Sequence, residues 1–321
     1  LKSLAFLFPG QGSQFPGMGK FLVEQFPAAD LVFEEASDAL NFNLKKLCFD
    51  ASEKDLALTQ NTQPAIFTTS AATLHVLQTE WGLSPSMTAG HSVGEYAALY
   101  ASKVISLADG VKAVRARGTW MQEAVPVGKG GMAAVMGLTA DETIQMCAWA
   151  QKQTGDSPLT AANFNCPGQI VISGKKALID WLVNNLDSEK IFSTNKRIKL
   201  IPLQVSAPFH CAMMKPAQEK MMDFLKTIPF KPADTPVLQN FTAKKHTKTE
   251  EIFKNLVEQI SAPVLWMQSM QELKSENIKV CIEVGAGKVL GGLLKKIDSE
   301  WFEVFNLNSS EDLKHLETLK D

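Results

Sequence analysis

The chain has 321 residues, which at roughly 150 residues per domain suggests about two structural units, or one large domain carrying an insert. Hydrophobic residues make up 45% and charged residues 21%, the balance of a soluble globular protein and not of a disordered one. A formal net charge of −2 argues against a dedicated nucleic-acid binder and leaves no polybasic tail for a membrane surface.

The first apolar run, Leu4–Phe8, reads as a strand stopped by Pro9-Gly10, and is too short for a signal sequence. The uncharged stretch 56–79 is rich in Thr, Gln, Asn, Ser and His and cannot be a membrane span. Within 65–81, Phe67, Ala71, Leu74, Leu77 and Trp81 fall at helical spacing, with Pro64 suited to a first turn. A short strand near 87–89 leads into Gly90-His91-Ser92-Val93-Gly94, then a small-residue helix at 93–101 and a further helix at 107–123. Val127-Gly128-Lys129-Gly130-Gly131 looks like a hinge.

Beyond it the order is strand 132–137, helix 141–152, strands 159–162 and 170–173, helix 176–186 and strand 198–205. That βαββαβ order predicts a small ferredoxin-like unit over 128–202. The parent pattern resumes with a helix at 213–227, strands at 237–240 and 280–284, and a helix after Gly287. The expected fold is therefore α/β: a large domain with a mainly parallel sheet, 1–127 and 203–321, interrupted by a small subdomain, 128–202. The cleft between them is the default site.

Cys48, Cys147, Cys166, Cys211 and Cys281 are odd in number and never at CxxC spacing, so neither a zinc site nor a disulfide framework is suggested. Free thiols and a cytoplasmic protein are expected.

Gly90-x-Ser92-x-Gly94 between a strand and a helix is the pattern of a nucleophile elbow. A sharp turn lifts the serine clear of the sheet, and flanking glycines avoid Cβ clashes. The helix N-terminus sets the Val93 amide beside a reacting carbonyl. The competing reading is a plain Gly/Ser turn.

A serine needs a base. His75 lies within a helix, and His91 neighbours Ser92 and should point elsewhere. His246 sits in a basic loop, Lys244-Lys245-His246-Thr247-Lys248, and His315 in a charged C-terminal helix. His210 follows the strand 198–205 and Ser206-Ala207-Pro208-Phe209, so it is expected at a strand end, where catalytic groups collect in open α/β sheets. His210 is the candidate base. Cys211 beside it reads as a packed small residue.

Gly285-Ala286-Gly287-Lys288 invites a phosphate-binding reading, but Leu290 replaces the third glycine and Val289 the Ser/Thr of a Walker motif, so a tight strand–helix turn is expected. Met213, Met214, Met221 and Met222 fall at helical spacing and read as core. Lys196, Arg197 and Lys199 form a basic cluster: a solvated face, or a contact for phosphate or an acidic partner.

Taken together the motifs resemble those of malonyl-CoA:acyl carrier protein transacylases and the related acyltransferase domains of polyketide synthases. They are Phe8-Pro9-Gly10-Gln11-Gly12-Ser13-Gln14, Thr62-Gln63-Pro64-Ala65, Gly90-His91-Ser92-Val93-Gly94-Glu95-Tyr96, Arg117-Gly118, Met121-Gln122-Glu123-Ala124-Val125-Pro126, Asn163-Phe164-Asn165-Cys166-Pro167-Gly168-Gln169, Pro208-Phe209-His210-Cys211 and Glu283-Val284-Gly285-Ala286-Gly287-Lys288-Val289-Leu290. The similarity runs nearly end to end, weakening after about Leu294.

The resemblance implies an α/β-hydrolase-like large domain and ping-pong acyl transfer. Ser92 takes malonyl from malonyl-CoA and passes it to the phosphopantetheine thiol of holo-acyl carrier protein, with His210 moving the proton. Backbone amides of Gln11 and Val93 would hold the oxyanion. Arg117 would grip the malonyl carboxylate with two charge-assisted bonds. Gln63, Met121 and Phe209 would shape the pocket, and Asn163, Asn165 and Lys199 would touch CoA or pantetheine.

The family often carries a glutamine in the segment that here reads Pro263-Val264-Leu265-Trp266, with Leu265 standing there, and the backbone carbonyl at that position would orient the histidine. No aspartate is evident as a third triad member, which fits a Ser–His dyad. No permanently bound cofactor or metal, no nucleic acid and no membrane are expected, and the protein is expected to be a monomer. With no fused synthase modules in view, fatty acid supply is expected ahead of a polyketide line. The rivals are a serine thioesterase or hydrolase, and a non-catalytic binder of CoA or carrier protein.

Overall fold

The computed structural model describes residues 3–319. Its strands are β1 (Leu4–Phe8), β2 (Met87–Gly90), β3 (Gly130–Met136), β4 (Leu159–Cys166), β5 (Gln169–Lys175), β6 (Lys199–Pro202), β7 (Val237–Gln239), β8 (Lys244–His246), β9 (Val280–Glu283) and β10 (Glu303–Asn306).

One sheet has the order β10-β9-β1-β2-β7-β8. Every pair is parallel except β7 with β8. Strands β1, β2 and β9 are buried along their whole length, as a parallel sheet covered on both faces requires. Side chains alternate across it. Leu4, Phe6 and Phe8 join a core with Phe67, Val111 and Val114, from the helices Thr59–Trp81 and Leu107–Glu123. Ala5 and Leu7 face the other way, onto Trp266, Met270, Leu290 and Leu294.

The second sheet is antiparallel, in the order β4-β5-β3-β6. In its own chain order that is 2-3-1-4, the ferredoxin-like arrangement expected from βαββαβ. Ala133, Val135 and Ile172 pack one face against the helices Ala140–Thr154 and Lys176–Asn185. The opposite face carries Met132, Ala134 and Val171 toward Ser92. Backbone bonds tie β4 to the segment before the helix Trp266–Ser275: Phe164 N–H donates to Val264 O at 2.9 Å, and Val264 N–H to Ala162 O at 2.8 Å.

Three local expectations need correction. The helix around Pro64 begins at Thr59, so Pro64 lies inside it and not in its first turn. Proline cannot donate to the carbonyl of Gln60, and the Arg115 guanidinium takes that acceptor at 2.7 Å. The segment around His246 is not a free loop but the edge strand β8, with His246 Nδ1 2.9 Å from Glu251. Finally, β6 is shorter than 198–205 and pairs in the antiparallel sheet, so His210 does not project from a parallel strand end.

Gly285-Ala286-Gly287-Lys288 forms a turn with Gly285 at φ +138° and Gly287 at +80°. The buried Glu283 carboxylate accepts from the amides of Leu290 and Gly291, both at 2.9 Å. An anion supplied by the chain already occupies the helix N-terminus that a phosphate would use.

Candidate active site

Ser92 sits between β2 and the helix Gly94–Ala101 with φ +53°, in the left-handed region that a non-glycine residue rarely enters. The flanking glycines make this turn possible. A Cβ on Gly90 would lie 2.0 Å from the backbone of Gly94, and one on Gly94 would lie 2.1 Å from Phe8 O. The Asn240 side chain clamps the turn from both ends: its Oδ1 accepts Ser92 N–H and its Nδ2 donates to Gly90 O, each at 2.7 Å.

His210 also has positive φ, +58°. Strain therefore falls on both halves of the pair, as is common where a site over-determines its geometry. Ser92 Oγ lies 2.7 Å from His210 Nε2. His210 Nδ1 lies 2.9 Å from the carbonyl oxygen of Gln259. A carbonyl only accepts, so Nδ1 carries the hydrogen and Nε2 presents its lone pair to the serine. Burial, and then the Arg117 charge, push His210 down to about 3, so the ring is neutral and ready to accept a proton.

Arg117 is buried, at 1% exposure. Its Nη2 donates to Ser92 Oγ at 3.2 Å and to Gln259 Oε1 at 3.0 Å, and its Nη1 to Gln63 Oε1 at 2.9 Å. Gln63 in turn donates to Met121 Sδ at 4.0 Å. Every hydrogen-bond acceptor of the guanidinium is neutral, and its Nε has none among the described residues. An arginine stays protonated in proteins. Here, then, is a buried cation beside Ser92 with no carboxylate among its described hydrogen-bond partners.

A cavity of about 230 Å³ opens over Ser92 and His210, walled by Gln11, Asn163, Asn165, Phe209 and Met132. Among the described hydrogen bonds, none uses the backbone N–H of Gln11 or Val93, whereas the Gln11 side chain donates to Thr59 Oγ1 at 3.3 Å. Lys199 is not in the wall; it pairs with Met136, outward along the face that holds Ala134. A larger hollow of about 610 Å³ around Glu34 and Phe42 holds Ser37, whose hydroxyl is engaged by the Phe33 carbonyl and the Leu44 amide.

Two expectations fail here. Leu265 does not orient the histidine: its carbonyl accepts from Ser269, and the carbonyl on His210 belongs to Gln259. A glutamine, Gln259, holds the histidine from six positions earlier than Leu265, just after the helix Thr249–Glu258. His91 does not leave the site either. It turns from Ser92 but lines the same cavity, with Nε2 2.8 Å from Asn165 Oδ1 and its ring 5.5 Å from that of Trp266. Sequence reasoning missed Gln259, Asn240 and Glu95. Only Glu95 lies in a quoted motif; Asn240 and Gln259 are distant in sequence and carry no local signature.

An acyl transferase domain family model matches residues 5–297. A malonyl CoA-acyl carrier protein transacylase of Bacillus subtilis is 46% identical over 299 residues, 93% of this chain and 91% of that protein. The chain belongs to the malonyl-CoA:acyl carrier protein transacylase family. Solved structures agree with this membership. The family member from Coxiella burnetii superposes with a TM-score of 0.92 at 34% identity, covering 100% of this chain and 98% of the other. A malonyl-transacylase solved in complex with a type II polyketide synthase acyl-carrier protein gives 0.91 at 35% identity, covering 99% and 100%. Like other members of the family, the chain is an α/β enzyme built from one largely parallel sheet and one small antiparallel sheet. No helix among the described residues is long and apolar enough to cross a membrane.

Proposed function

We propose that the chain transfers malonyl from malonyl-CoA to the phosphopantetheine thiol of acyl carrier protein, through a malonyl ester on Ser92. One observation carries the reading: Arg117, a buried guanidinium with no carboxylate among its described hydrogen-bond partners, donates to the nucleophile at 3.2 Å.

His210 Nε2 takes the Ser92 proton as Oγ attacks the thioester carbonyl. The amides of Gln11 and Val93 receive the oxyanion, each such donor contributing about 10²–10³ in rate. Collapse expels the CoA thiolate, which takes the proton back from His210. In the second half the carrier thiol gives its proton to His210, attacks the ester, and Ser92 recovers the proton as it leaves. The acyl carboxylate lies against Arg117 throughout, so an uncharged acetyl group leaves that cation unpaired. Gln63 and Met121 fix the guanidinium, Phe209 bounds the acyl pocket, and Asn163 and Asn165 face the pantetheine arm, with Lys199 at the outer rim.

On this reading residues 1–127 and 203–321 form the catalytic domain, and 128–202 a subdomain that closes the cleft. The enzyme acts as a monomer in the cytoplasm and supplies fatty acid synthesis. The solved complex with a polyketide carrier protein favours one alternative supply line using the same chemistry.

The test is transfer of labelled malonyl from CoA to holo-carrier proteins of both kinds. Label on the carrier, outrunning hydrolysis, is expected, together with a mass shift on Ser92 after brief exposure to malonyl-CoA. Release of free malonate alone makes the protein a hydrolase. No adduct makes it a binder.

A further inference from the structure

Glu95 lies in the first turn of the helix Gly94–Ala101, next to the nucleophile turn, and is wholly buried. Nothing in the mechanism above uses it. A buried carboxylate is unstable unless hydrogen-bonded and electrically balanced. Hydrogen bonds are present: Oε1 accepts from Gln239 Nε2 at 3.0 Å, and Oε2 from Asn240 N–H at 2.7 Å and Gln259 Nε2 at 3.1 Å. Among the described residues no cation hydrogen-bonds it or pairs with it directly.

The balance comes through Gln259. Its Nε2 donates to Glu95 while its Oε1 accepts from Arg117 at 3.0 Å. One side-chain amide therefore stands between a buried anion and a buried cation, polarised in the same sense from both ends. The same residue donates to Ser92 O at 2.9 Å, and its backbone carbonyl holds His210 at 2.9 Å. Burial pushes the Glu95 carboxyl up to about 7, with its three hydrogen-bond donors and the Arg117 charge holding it down.

We propose that Glu95 is the standing counter-charge of Arg117, a positioning residue that sets how tightly the guanidinium holds a substrate carboxylate. A direct ion pair would occupy the guanidinium and exclude the substrate. Complete absence of a counter-charge would leave the empty site unstable and would hold a carboxylate too firmly for release. A carboxylate at one remove balances the charge and leaves the hydrogen-bonding face of Arg117 open. Another buried acid, Glu283, has a separate task at the helix Val289–Asp298 and serves as a control.

The proposal rests on the malonyl reading for its ligand but not for its charge pairing, and the experiment has an arm for each. In a Ser92→Ala background at about pH 8, calorimetry gives the affinities for malonyl-CoA and acetyl-CoA. Adding Glu95→Gln is expected to tighten malonyl-CoA binding about fivefold or more, the lower end of coupling between linked sites, with acetyl-CoA unmoved. Glu283→Gln should move neither. Weaker malonyl-CoA binding, or equal changes for both ligands, overturns the proposal.

The second arm needs no substrate. In a cycle of Arg117→Met, Glu95→Gln and the pair, the double variant is expected to unfold at a higher temperature than the two single losses predict. Additivity overturns the proposal. If Glu95→Gln alone does not fold, the double variant should; a double variant that fails where Arg117→Met folds counts against it. If the background enzyme shows no preference for malonyl-CoA while the cycle is non-additive, the substrate reading fails and the charge pairing stands.

Discussion

The carbonyl oxygen of Gln259 accepts the Nδ1 hydrogen of His210 at 2.9 Å, and that bond decides which imidazole nitrogen faces the serine. A backbone acceptor does this without adding a third ionisable group, so the proposed catalytic pair is a dyad. The Gln259 side chain has a different task, joining Arg117, Glu95 and the Ser92 backbone. Leu265 performs neither. Replacing Leu265 by Ala is expected to leave the transfer rate within about threefold, whereas Gln259→Leu should lower malonyl transfer about 10- to 100-fold by stranding buried donors on Arg117. Steady-state kinetics of the two variants check this, and the reverse ranking would sink the assignment.

Arg117→Ala removes the cation that donates to Ser92 Oγ at 3.2 Å. Malonyl transfer should fall about 10²–10³-fold, the scale of losing a buried charge pair, while acetyl transfer is retained or gained. Parallel assays with the two CoA esters are the measurement. Equal loss of both would make Arg117 a structural residue.

The depressed His210 makes two statements about pH. Because the ring stays neutral well below its ordinary 6.5, acylation of Ser92 by malonyl-CoA should lose little rate between about pH 8 and about pH 5. A steep decline near neutrality would show that the ring titrates normally. For stability, the unfolded chain takes up a proton at 6.5 that the folded chain refuses until about 3, so His210 destabilises the fold progressively as pH falls through that window. Glu95, raised to about 7 from 4.5, acts oppositely and stabilises as pH falls from about 7 toward 4.5. Melting temperatures of His210→Ala and wild type, compared between about pH 6.5 and pH 4.5, isolate the first contribution: the variant should lose less.

Glycine substitutions test the elbow. A Cβ on Gly94 would meet the Phe8 carbonyl at 2.1 Å, so Gly94→Ala should cost about 3 kcal/mol or more, or prevent folding. Gly292 lies in the helix Val289–Asp298 with nothing within 4 Å of an added Cβ, and Gly292→Ala should stabilise by about 0.5–1 kcal/mol. Denaturant unfolding of both variants compares them directly.

Much of the fold was legible because its signals are local. Leu4–Phe8 alternates between two cores, and the strand–helix order between Gly130 and Pro202 allows essentially one compact sheet. The elbow was readable because a glycine either side of a serine answers a clash that only close packing creates. Misreadings came where a residue's partner is far away in sequence. Pro64 looked like a helix start because Arg115, which takes the orphaned Gln60 carbonyl, lies on another helix. His91 was dismissed because neighbouring side chains diverge, yet the cavity is wide enough to be walled from both directions.

Residue types at short spacing suffice for most elements, for the serine turn and for the family, whereas the contact of Ser92 with His210 joins residues far apart in sequence and exists only in the fold. Tertiary structure alone decided the electrostatics. Glu95, Arg117, Asn240 and Gln259 come from four separate segments and meet only once the parallel sheet and the helices packed on it have formed. Burial opposes charge on both Glu95 and Arg117, and it also removes the water that would screen the two groups from each other across the Gln259 amide.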